Sequence, residues 1–268
     1  MNQFRLFANK KYGMELDNYR DLYNWSVNEI TYFWEAVWSF GNPVVSKDYQ
    51  QVVDDDSKMP GAKWFSGARL NFAENLLRRR DNHTAILSRG EGKDDRKISY
   101  NELYSEVEKM AAALREAGVE QNDRVAGFLP NIPEAVVAML GAASLGAVWS
   151  SSSPDFGIKG VLDRFRQIEP KVLFAADGYQ YNGKRINSLD KLKEILTELP
   201  SVEKVVVIPF ESENLDLSGI NKGVLYGEFL PAKAPSLEFA QLPFDHPLYI
   251  MYSSGTTGLP KSIVHGAG

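Results

Sequence analysis

The amino-acid sequence predicts an α/β fold in which helices flank a parallel sheet. From about residue 99 onward, short apolar runs rich in Val, Ile and Ala alternate with segments whose apolar residues recur at helical spacing. Strands that alternate with helices in this way are typical of βαβ units. The runs are continuously apolar instead of alternating with polar residues, which indicates a sheet that is buried on both faces.

The predicted elements follow one another with short connections. Ser99 and Glu102 have the spacing of a capping box, so a helix should start there, and Gly118 should end it. A hairpin with strands at 84–88 and 96–98 is expected just before it. The remaining predicted strands are 125–129, 147–150, 172–175, 205–208 and 248–252, and the remaining predicted helices are 133–145, 161–168, 189–199 and 224–230.

The N-terminal part of the chain is rich in aromatic residues. Ser26 and Glu29 also have capping-box spacing, and apolar residues recur at helical intervals up to Trp38, which predicts a helix that ends at Gly41. We expect residues 1–82 to form a helical N-terminal segment and residues 83–268 to hold the sheet. An interaction scaffold is a further hypothesis for the aromatic helix, and it would require this helix to be exposed.

The composition makes several classes of protein improbable. The 268 residues carry a net charge of −5, which does not favour binding to nucleic acid or acidic lipid but permits a local cationic pocket. There are no cysteines, and the histidines lie too far apart for metal-ligand spacing. No apolar run approaches the roughly 20 residues that cross a bilayer. We expect a cytoplasmic protein without a metal site, and we interpret the acidic run Asp54, Asp55 and Asp56 as a solvated loop.

The residues that follow the last predicted strand are suited to binding polyphosphate. Gly255 and Gly258 let backbone N–H groups approach an anion without an intervening Cβ, and Lys261 supplies a positive charge. Hydroxyl donors come from Ser253, Ser254, Thr256 and Thr257. The lysine is placed differently from that of a Walker A motif, and a serine nucleophile is disfavoured because no G-x-S-x-G elbow is present. A flexible surface turn is the alternative interpretation.

This loop, YSSGTTGLPK at 252–261, resembles the signature loop of the adenylate-forming enzymes, which include acyl-CoA synthetases, peptide-synthetase adenylation domains and luciferases. Most of that superfamily has a glycine after Pro-Lys, whereas this chain has Ser262. A small residue followed by Ile-Val-His-Gly is similar to the acetoacetyl-CoA synthetases. The segments WFSGARLNFAEN at 64–75, LPNIPEA at 129–135 and GAVWS at 146–150 also resemble acetyl- and acetoacetyl-CoA synthetases.

The resemblance implies the N-terminal domain fold of an adenylate-forming enzyme, with parallel sheets and flanking helices. It implies an AMP-forming acid–thiol ligase, in which a carboxylate attacks the α-phosphate of ATP and CoA then displaces AMP from the acyl-AMP. ATP, Mg²⁺ and CoA are the implied cofactors and cosubstrates, and acetoacetate is the implied acid. The loop would hold the β- and γ-phosphates, with Thr256, Thr257 and Lys261 as the main ligands.

The same resemblance implies a truncated chain. Residues 83–268 would be the first part of the AMP-binding domain, ending just after the phosphate-binding loop. The catalytic lysine and the adenine and acyl sites would lie beyond residue 268, so we assign no catalytic residue and expect no ligase activity from this polypeptide by itself. An acetyl- or propionyl-CoA synthetase fragment and a non-catalytic nucleotide-binding module are the alternative hypotheses, and a downstream Tyr-Gly-x-Thr-Glu segment would favour a ligase.

Further candidates rest on the resemblance alone. Lys184 and Arg185 lie roughly where acetyl-CoA synthetases place arginines that contact the 3′-phosphate of CoA, although two solvated loop cations are an alternative. His265 is a candidate for the acyl site, and a structural histidine is the alternative.

Overall fold

The structure, a computed structural model, describes residues 1–212, 215–253 and 258–268, which form two compact units. The first unit comprises Met1–Leu70, Gln241–Asp245 and Gly268. The second comprises Asn71–Ala240 and His246–Ala267. A domain boundary between residues 82 and 83 stays a prediction.

The helices and strands are numbered separately along the chain. The helices are α1 (Asn2–Tyr12), α2 (Tyr19–Asn28), α3 (Ile30–Gly41), α4 (Phe72–Leu76), α5 (Tyr100–Glu116), α6 (Pro133–Ser144), α7 (Ile158–Ile168), α8 (Leu189–Thr197) and α9 (Tyr226–Phe229). The strands are β1 (Val45–Lys47), β2 (Gln51–Val53), β3 (Trp64–Ser66), β4 (Arg69–Leu70), β5 (Thr84–Ser88), β6 (Arg96–Ser99), β7 (Arg124–Phe128), β8 (Val148–Ser152), β9 (Val172–Ala176), β10 (Gly178–Tyr181), β11 (Lys184–Asn187), β12 (Lys204–Ile208), β13 (Gly223–Leu225), β14 (Leu242–Pro243), β15 (Pro247–Ser253) and β16 (Lys261–Gly266).

The first unit begins with three helices where the sequence predicted one. The side chain of Asn18 accepts hydrogen bonds from the backbone N–H groups of Arg20 (2.8 Å) and Asp21 (3.1 Å), and this cap starts α2. The predicted capping box at Ser26 and Glu29 is wrong. Ser26 already lies inside α2, and its hydroxyl bonds backward to a carbonyl of that helix. The predicted end at Gly41 is confirmed.

Aromatic packing holds the rest of the first unit together. The rings of Trp38 and Phe65 stack with centroids 4.5 Å apart, between α3 and β3. The acidic run that follows β2 is exposed, which confirms the predicted solvated loop. Asp54 pairs there with Lys58 (2.6 Å), and this hydrogen bond is the main cause that lowers the pKa of the Asp54 carboxyl to about 2.

The second unit is built on a parallel sheet, as the sequence predicted. Within the described residues its seven strands lie in the order β13-β12-β9-β7-β8-β15-β16, and all neighbours are parallel except β16, which is antiparallel to β15. The chain passes from β7 to β8 on one side of it, and then crosses over to β9 on the other side of β7. The strand order therefore reverses at β7, and ligand sites of open α/β sheets form at such a point.

At strands β7, β9 and β12 both faces of this sheet are buried, which confirms for these strands the expectation drawn from the continuous apolar runs. Val125, Phe174 and Val206 belong to a core shared with α5 and α6. Their neighbours in sequence, such as Ala126 and Leu173, belong to a separate core shared with α7 and α8. Alternate residues of one strand thus fill opposite cores, because successive strand side chains point to opposite faces.

The predicted start of α5 is confirmed in detail. The Ser99 backbone N–H donates to the Glu102 carboxylate (2.7 Å), and the Glu102 N–H donates to the Ser99 hydroxyl (3.2 Å). Each side chain therefore satisfies a backbone group that the first turn leaves unpaired. Gly118, with φ of 79°, follows the end of the helix in the left-handed region that favours glycine.

Candidate functional site

The candidate site lies at the edge of the sheet where the parallel strands have their carboxyl ends. Strands β7, β8, β9, β12 and β15 all end there, and the strand order reverses at β7. The Ser- and Gly-rich loop predicted to bind phosphate follows β15 directly. This edge therefore carries the candidate site.

The predicted phosphate-binding loop lies between β15 and β16 in the sequence. Ser253, the last residue of β15, lies opposite Lys261, the first residue of β16. Directly opposed residues of an antiparallel pair have Cβ atoms roughly 5 Å apart, so this hydroxyl and this ammonium stem flank the mouth of the loop. Gly258 is exposed, and a Cβ added there would meet nothing within 4 Å. The predicted ligands Ser254, Gly255, Thr256 and Thr257 lie outside the described residues, so their role stays a prediction.

The stem of the loop is tied to the neighbouring strand β8 and to α7. The Ser150 hydroxyl donates to Ile250 O at 2.9 Å and lies 3.1 Å from the Tyr252 hydroxyl. The Tyr252 hydroxyl also contacts Arg164 O of α7 at 3.4 Å, and the Arg164 guanidinium lies over the Tyr252 ring at 5.6 Å. Burial is the main cause that raises the pKa of Tyr252, so this tyrosine is neutral at physiological pH.

A cavity of about 370 Å³ lies at the same edge, where the strand order reverses. Its wall comes from five places in the second unit: the turn between β5 and β6, the segment after β7, the end of β8 with the residues that follow it, strand β10, and the residue Phe210 after β12. The Ser152 residue is 4% exposed, and its hydroxyl has no hydrogen-bond partner among the described residues. A buried hydroxyl without a partner is unfavourable, so it is available to a polar ligand atom.

Tyr179 and Asp155 meet in the wall of this cavity. The pKa of the Tyr179 hydroxyl is raised to about 12, mainly by burial and secondly by a hydrogen bond to the Asp155 carboxylate. Asp155 also accepts a hydrogen bond from the Ser153 hydroxyl at 3.1 Å. Tyr179 is therefore a neutral donor that is already engaged, and it contributes shape more than charge to the cavity.

Lys184 and Arg185 lie on β11, which pairs with β10 in a hairpin closed by Asn182 and Gly183. These two turn residues have φ of 50° and 75°, as a two-residue Asn-Gly turn requires. The Glu91 carboxylate accepts hydrogen bonds from both of their N–H groups, at 2.9 Å for Asn182. A distant loop thus fixes the tip of the hairpin next to the cavity wall.

The two predicted CoA ligands differ in their surroundings. Arg185 lies 3.5 Å from the carboxylate of Glu211, whose side chain is only 8% exposed. Glu211 also pairs with Lys93 at 3.2 Å and accepts a hydrogen bond from Gln180 at 3.1 Å. Lys184 makes no ion pair with any residue in the part of the chain that the structure describes. Lys184 is consequently the better placed of the two to meet a phosphate.

Asp177 is a buried site residue that sequence reasoning missed. It follows β9 directly, is 4% exposed, and its carboxylate accepts hydrogen bonds from the backbone N–H groups of Phe210 (2.7 Å), Glu211 (2.9 Å) and Ser212 (2.9 Å). It thereby holds the segment after β12 in the cavity wall. A carboxylate placed directly after a buried strand was the available signal.

The histidines occupy different settings. His265 is exposed on β16, with its ring 5.3 Å from that of Tyr249, and whether it meets a substrate stays a prediction. His246 is buried, and its Nε2 lies 2.9 Å from Gly146 O, so it is a satisfied structural residue.

Among the residues with described positions, no group of three or more His, Asp or Glu side chains could hold a metal ion. In the same part of the chain, no helix is both long and apolar enough to span a membrane.

Two family models match the chain. The model described as AMP-binding enzyme matches residues 72–268, and the model described as acetyl-coenzyme A synthetase N-terminus matches residues 19–76. The chain belongs to the AMP-binding enzyme family. This membership confirms the predicted resemblance and fold class, since it covers the whole of the parallel sheet.

Relatives are similar to nearly all of this chain. An acetoacetyl-CoA synthetase of Macaca fascicularis is 49% identical, over 100% of this chain and 41% of that protein. A malonamoyl-CoA synthetase of Penicillium aethiopicum is 44% identical, over 97% of this chain and 38% of that protein. The solved structure of an acetoacetyl-CoA synthetase from Streptomyces lividans has a TM-score of 0.92 at 43% identity, covering 99% of this chain and 41% of that one. The chain thus spans about two fifths of the length of the relatives that it matches.

Two local expectations are corrected by the structure. No strand was predicted beyond residue 252, but residues Lys261–Gly266 form β16. The reason is that Ile263 and Val264 pair with β15, which completes a hairpin. Strand β15 was expected to be buried, but only Leu248 is, because β15 pairs with β8 only at Tyr249 and Ile250.

Proposed function

We propose that this chain supplies the phosphate-binding loop and part of the CoA-binding surface of an acetoacetate–CoA ligase. The reaction is the ATP-dependent conversion of a carboxylate to acyl-AMP and pyrophosphate, followed by transfer of the acyl group to the thiol of CoA. Family membership supports the adenylating chemistry. The similarity to acetoacetyl-CoA synthetases supports the choice of acid.

One observation carries the proposal: the loop is held at both ends at the carboxyl edge of a parallel sheet. Ser253 and Lys261 are paired across its mouth, and the strand order reverses at the same edge. Glycines and hydroxyls between these two residues can surround the β- and γ-phosphates, while Lys261 neutralises the charge that develops on the leaving pyrophosphate. In-line transfer of this kind needs positioning and charge neutralisation and no protein nucleophile.

Mg²⁺ enters this reaction as the complex with ATP, bound by the phosphate oxygens. Carboxylate, hydroxyl and water oxygens are the ligands that Mg²⁺ accepts, and it keeps several waters when bound to nucleotide phosphates. The loop hydroxyls are compatible with that chemistry. No residue of this chain is assigned to the metal.

The CoA nucleotide is proposed to lie on the β10–β11 hairpin and in the adjoining cavity. Lys184 would meet the 3′-phosphate, because its charge is not used in an ion pair within the described residues. The unpartnered hydroxyl of Ser152 and the side chain of Asn131 in the cavity wall provide polar contacts for a nucleotide. Arg185 would assist only in part, since Glu211 already lies beside it.

The acyl substrate is proposed to be a short acid with a second carbonyl on its β-carbon. Acetoacetate has this structure, and so does the acid whose acyl group names the malonamoyl-CoA synthetase among the relatives. Acetate and propionate lack the second carbonyl. They remain the alternative substrates.

The decisive test is an acyl-hydroxamate or pyrophosphate-release assay on the protein expressed from the whole gene. Acetoacetate, acetate, propionate and butyrate are compared at equal concentrations, and acetoacetate is expected to react fastest. In the same protein, changing Thr256, Thr257 and Lys261 together to alanine should raise the KM for ATP by about 100-fold or more, because at least two charge-assisted hydrogen bonds are lost.

The outcomes separate the parts of the proposal. Acetate outperforming acetoacetate would overturn the substrate assignment and leave the chemistry intact. A triple variant that handles ATP normally would defeat the phosphate-binding role of the loop. The 268-residue polypeptide by itself is expected to form no AMP from ATP and acetoacetate, and AMP formation by it would contradict our assignment of the catalytic residues to other parts of the protein.

A further inference from the structure

We infer that Gln167 of α7 is a positioning residue for the phosphate-binding loop. Its side-chain amide bonds to the backbone carbonyl of Pro260 and to the side-chain hydroxyl of Ser262, the residues on either side of Lys261, and so sets the position of that lysine. This inference rests on the proposed function, because it concerns the same loop. It adds a residue that lies about 90 positions earlier in the sequence and belongs to no recognised motif of the loop.

The contacts of Gln167 use both sides of its amide. Its Nε2 donates to Pro260 O at 2.9 Å and to Asp163 O of its own helix at 2.6 Å, and its Oε1 accepts from the Ser262 hydroxyl at 3.1 Å. Rotating the amide by 180° would place its oxygen against two carbonyl oxygens. The network therefore fixes the orientation of the amide, with two donors and one acceptor all in use.

The bonded residues flank the loop cation. Pro260 precedes Lys261 and Ser262 follows it, so a single side chain holds both neighbours of the lysine. Because successive strand residues point to opposite faces, Ser262 points toward α7 and Lys261 points away from it. These two hydrogen bonds thus direct the side chain of Lys261 to the face of the hairpin that α7 does not occupy.

The other strand of the loop is held by the same helix. Tyr252, the partner of Ser262 across the hairpin, contacts Arg164 O of α7 at 3.4 Å. Arg164 and Gln167 are three residues apart and so lie on one face of α7. The helix consequently holds both stems of the hairpin, one through Tyr252 and the other through Gln167, while Ser253 and Lys261 are left together on the opposite face.

This arrangement has a specific consequence for the reaction. A loop that binds phosphates must be ordered at its base, here Pro260 to Ser262, and the ordering cost otherwise weakens binding. Losing the hydrogen bonds of Gln167 should therefore weaken the binding of ATP, with little effect on the binding of the other substrates. Loss of a residue that only stabilises the fold would instead lower kcat and the melting temperature without a selective rise in the KM for ATP.

The experiment uses the protein expressed from the whole gene and an acetoacetate-dependent ATP–pyrophosphate exchange assay. Gln167→Ala should raise the KM for ATP and for pyrophosphate by about 3- to 10-fold, the effect of losing one or two exposed hydrogen bonds. The kcat and the KM for acetoacetate should change by less than about 2-fold. Gln121→Ala, the same change in the exposed turn before β7, is the matched control.

Two further variants and one measurement without turnover sharpen the test. Gln167→Glu removes the donors and keeps an acceptor, so it should behave like alanine, whereas Ser262→Ala removes one bond and should have a smaller effect. In hydrogen–deuterium exchange of the 268-residue chain, Gln167→Ala should speed exchange in peptides covering residues 258–264 and leave those of β7 and β9 unchanged.

The possible results are distinct. A KM for ATP in Gln167→Ala equal to that of Gln121→Ala overturns the inference. A lower kcat and a lower melting temperature without a selective rise in the KM for ATP also overturn it. Faster hydrogen–deuterium exchange at residues 258–264 without a change in the KM for ATP also overturns it, because the hydrogen bonds of Gln167 would then have no role in nucleotide binding. If the wild-type protein shows no ATP–pyrophosphate exchange with acetoacetate, the proposed function itself is wrong, and the role assigned to Gln167 falls with it.

Discussion

The hydrogen bonds of Asp177 permit a stability prediction that can be worked from the structure. Its buried carboxylate accepts three backbone N–H groups from Phe210, Glu211 and Ser212 at 2.7–2.9 Å. Asp177→Ala leaves all three donors without an acceptor. A hydrogen bond to a charged group contributes roughly 1.5–3 kcal/mol, and these donors are only partly buried, so water recovers some of the loss. We expect the free energy of unfolding to fall by about 3–4 kcal/mol.

Asp177→Asn provides the internal comparison. The N–H groups of Phe210 and Glu211 both donate to Oδ1, whereas that of Ser212 donates to Oδ2. An asparagine whose oxygen occupies the Oδ1 position keeps the first two bonds and turns its NH₂ group toward the third donor. The expected loss is therefore about 1–2 kcal/mol, between wild type and alanine.

The assay is urea unfolding of the 268-residue chain followed by circular dichroism, with hydrogen–deuterium exchange as the local readout. With a slope of about 2–3 kcal/mol per molar urea, Asp177→Ala should lower the midpoint by roughly 1–2 M. Exchange should rise first in peptides covering residues 209–212. Asp216→Ala, which removes an exposed carboxylate that accepts hydrogen bonds from Ser218, is the control and should have a much smaller effect. An alanine variant as stable as the asparagine variant would refute the reasoning.

Three other predictions concern single contacts. Gly141→Ala would place its Cβ 2.5 Å from Met110 Cγ, so it should cost about 1–3 kcal/mol in urea unfolding. If overpacking is the cause, the same change should cost less when it is made in a Met110→Ala protein, although Met110→Ala itself lowers stability. Lys184→Ala should raise the KM for CoA of the whole protein by about 3- to 10-fold, roughly 1 kcal/mol, whereas an equal or larger effect of Arg185→Ala would contradict the assigned roles. Glu102 accepts hydrogen bonds at the start of α5, chiefly from the Ser99 backbone N–H, and these hold the pKa of its carboxyl below the ordinary 4.5. The carboxylate therefore stabilises the protein above pH 4.5, and this stabilisation is lost as the pH falls through the lowered pKa. The stability difference between wild type and Glu102→Gln should thus shrink in acid, and a difference that grows in acid would show the sign to be wrong.

Local sequence determined the features whose causes lie within a few residues. The capping box at Ser99 and Glu102 forms because both partners belong to one turn, and the turn at Asn182 and Gly183 forms because those residues tolerate positive φ. The same holds for the continuous apolar runs that became the strands of the parallel sheet. The helix start expected at Ser26 failed because a stronger cap at Asn18 had already begun a helix.

The amino-acid sequence by itself thus determined the α/β class, the position of most elements of the second unit, and a loop whose composition suits phosphates. The tertiary structure alone decided which strands are neighbours and which distant groups meet. Asp177 reaches backbone N–H groups 33 to 35 residues away, and Gln167 reaches Pro260 and Ser262 across 93 and 95 residues. Local patterns cannot specify such contacts, because a polar side chain finds a partner only after the buried apolar faces have packed and brought the strand ends together.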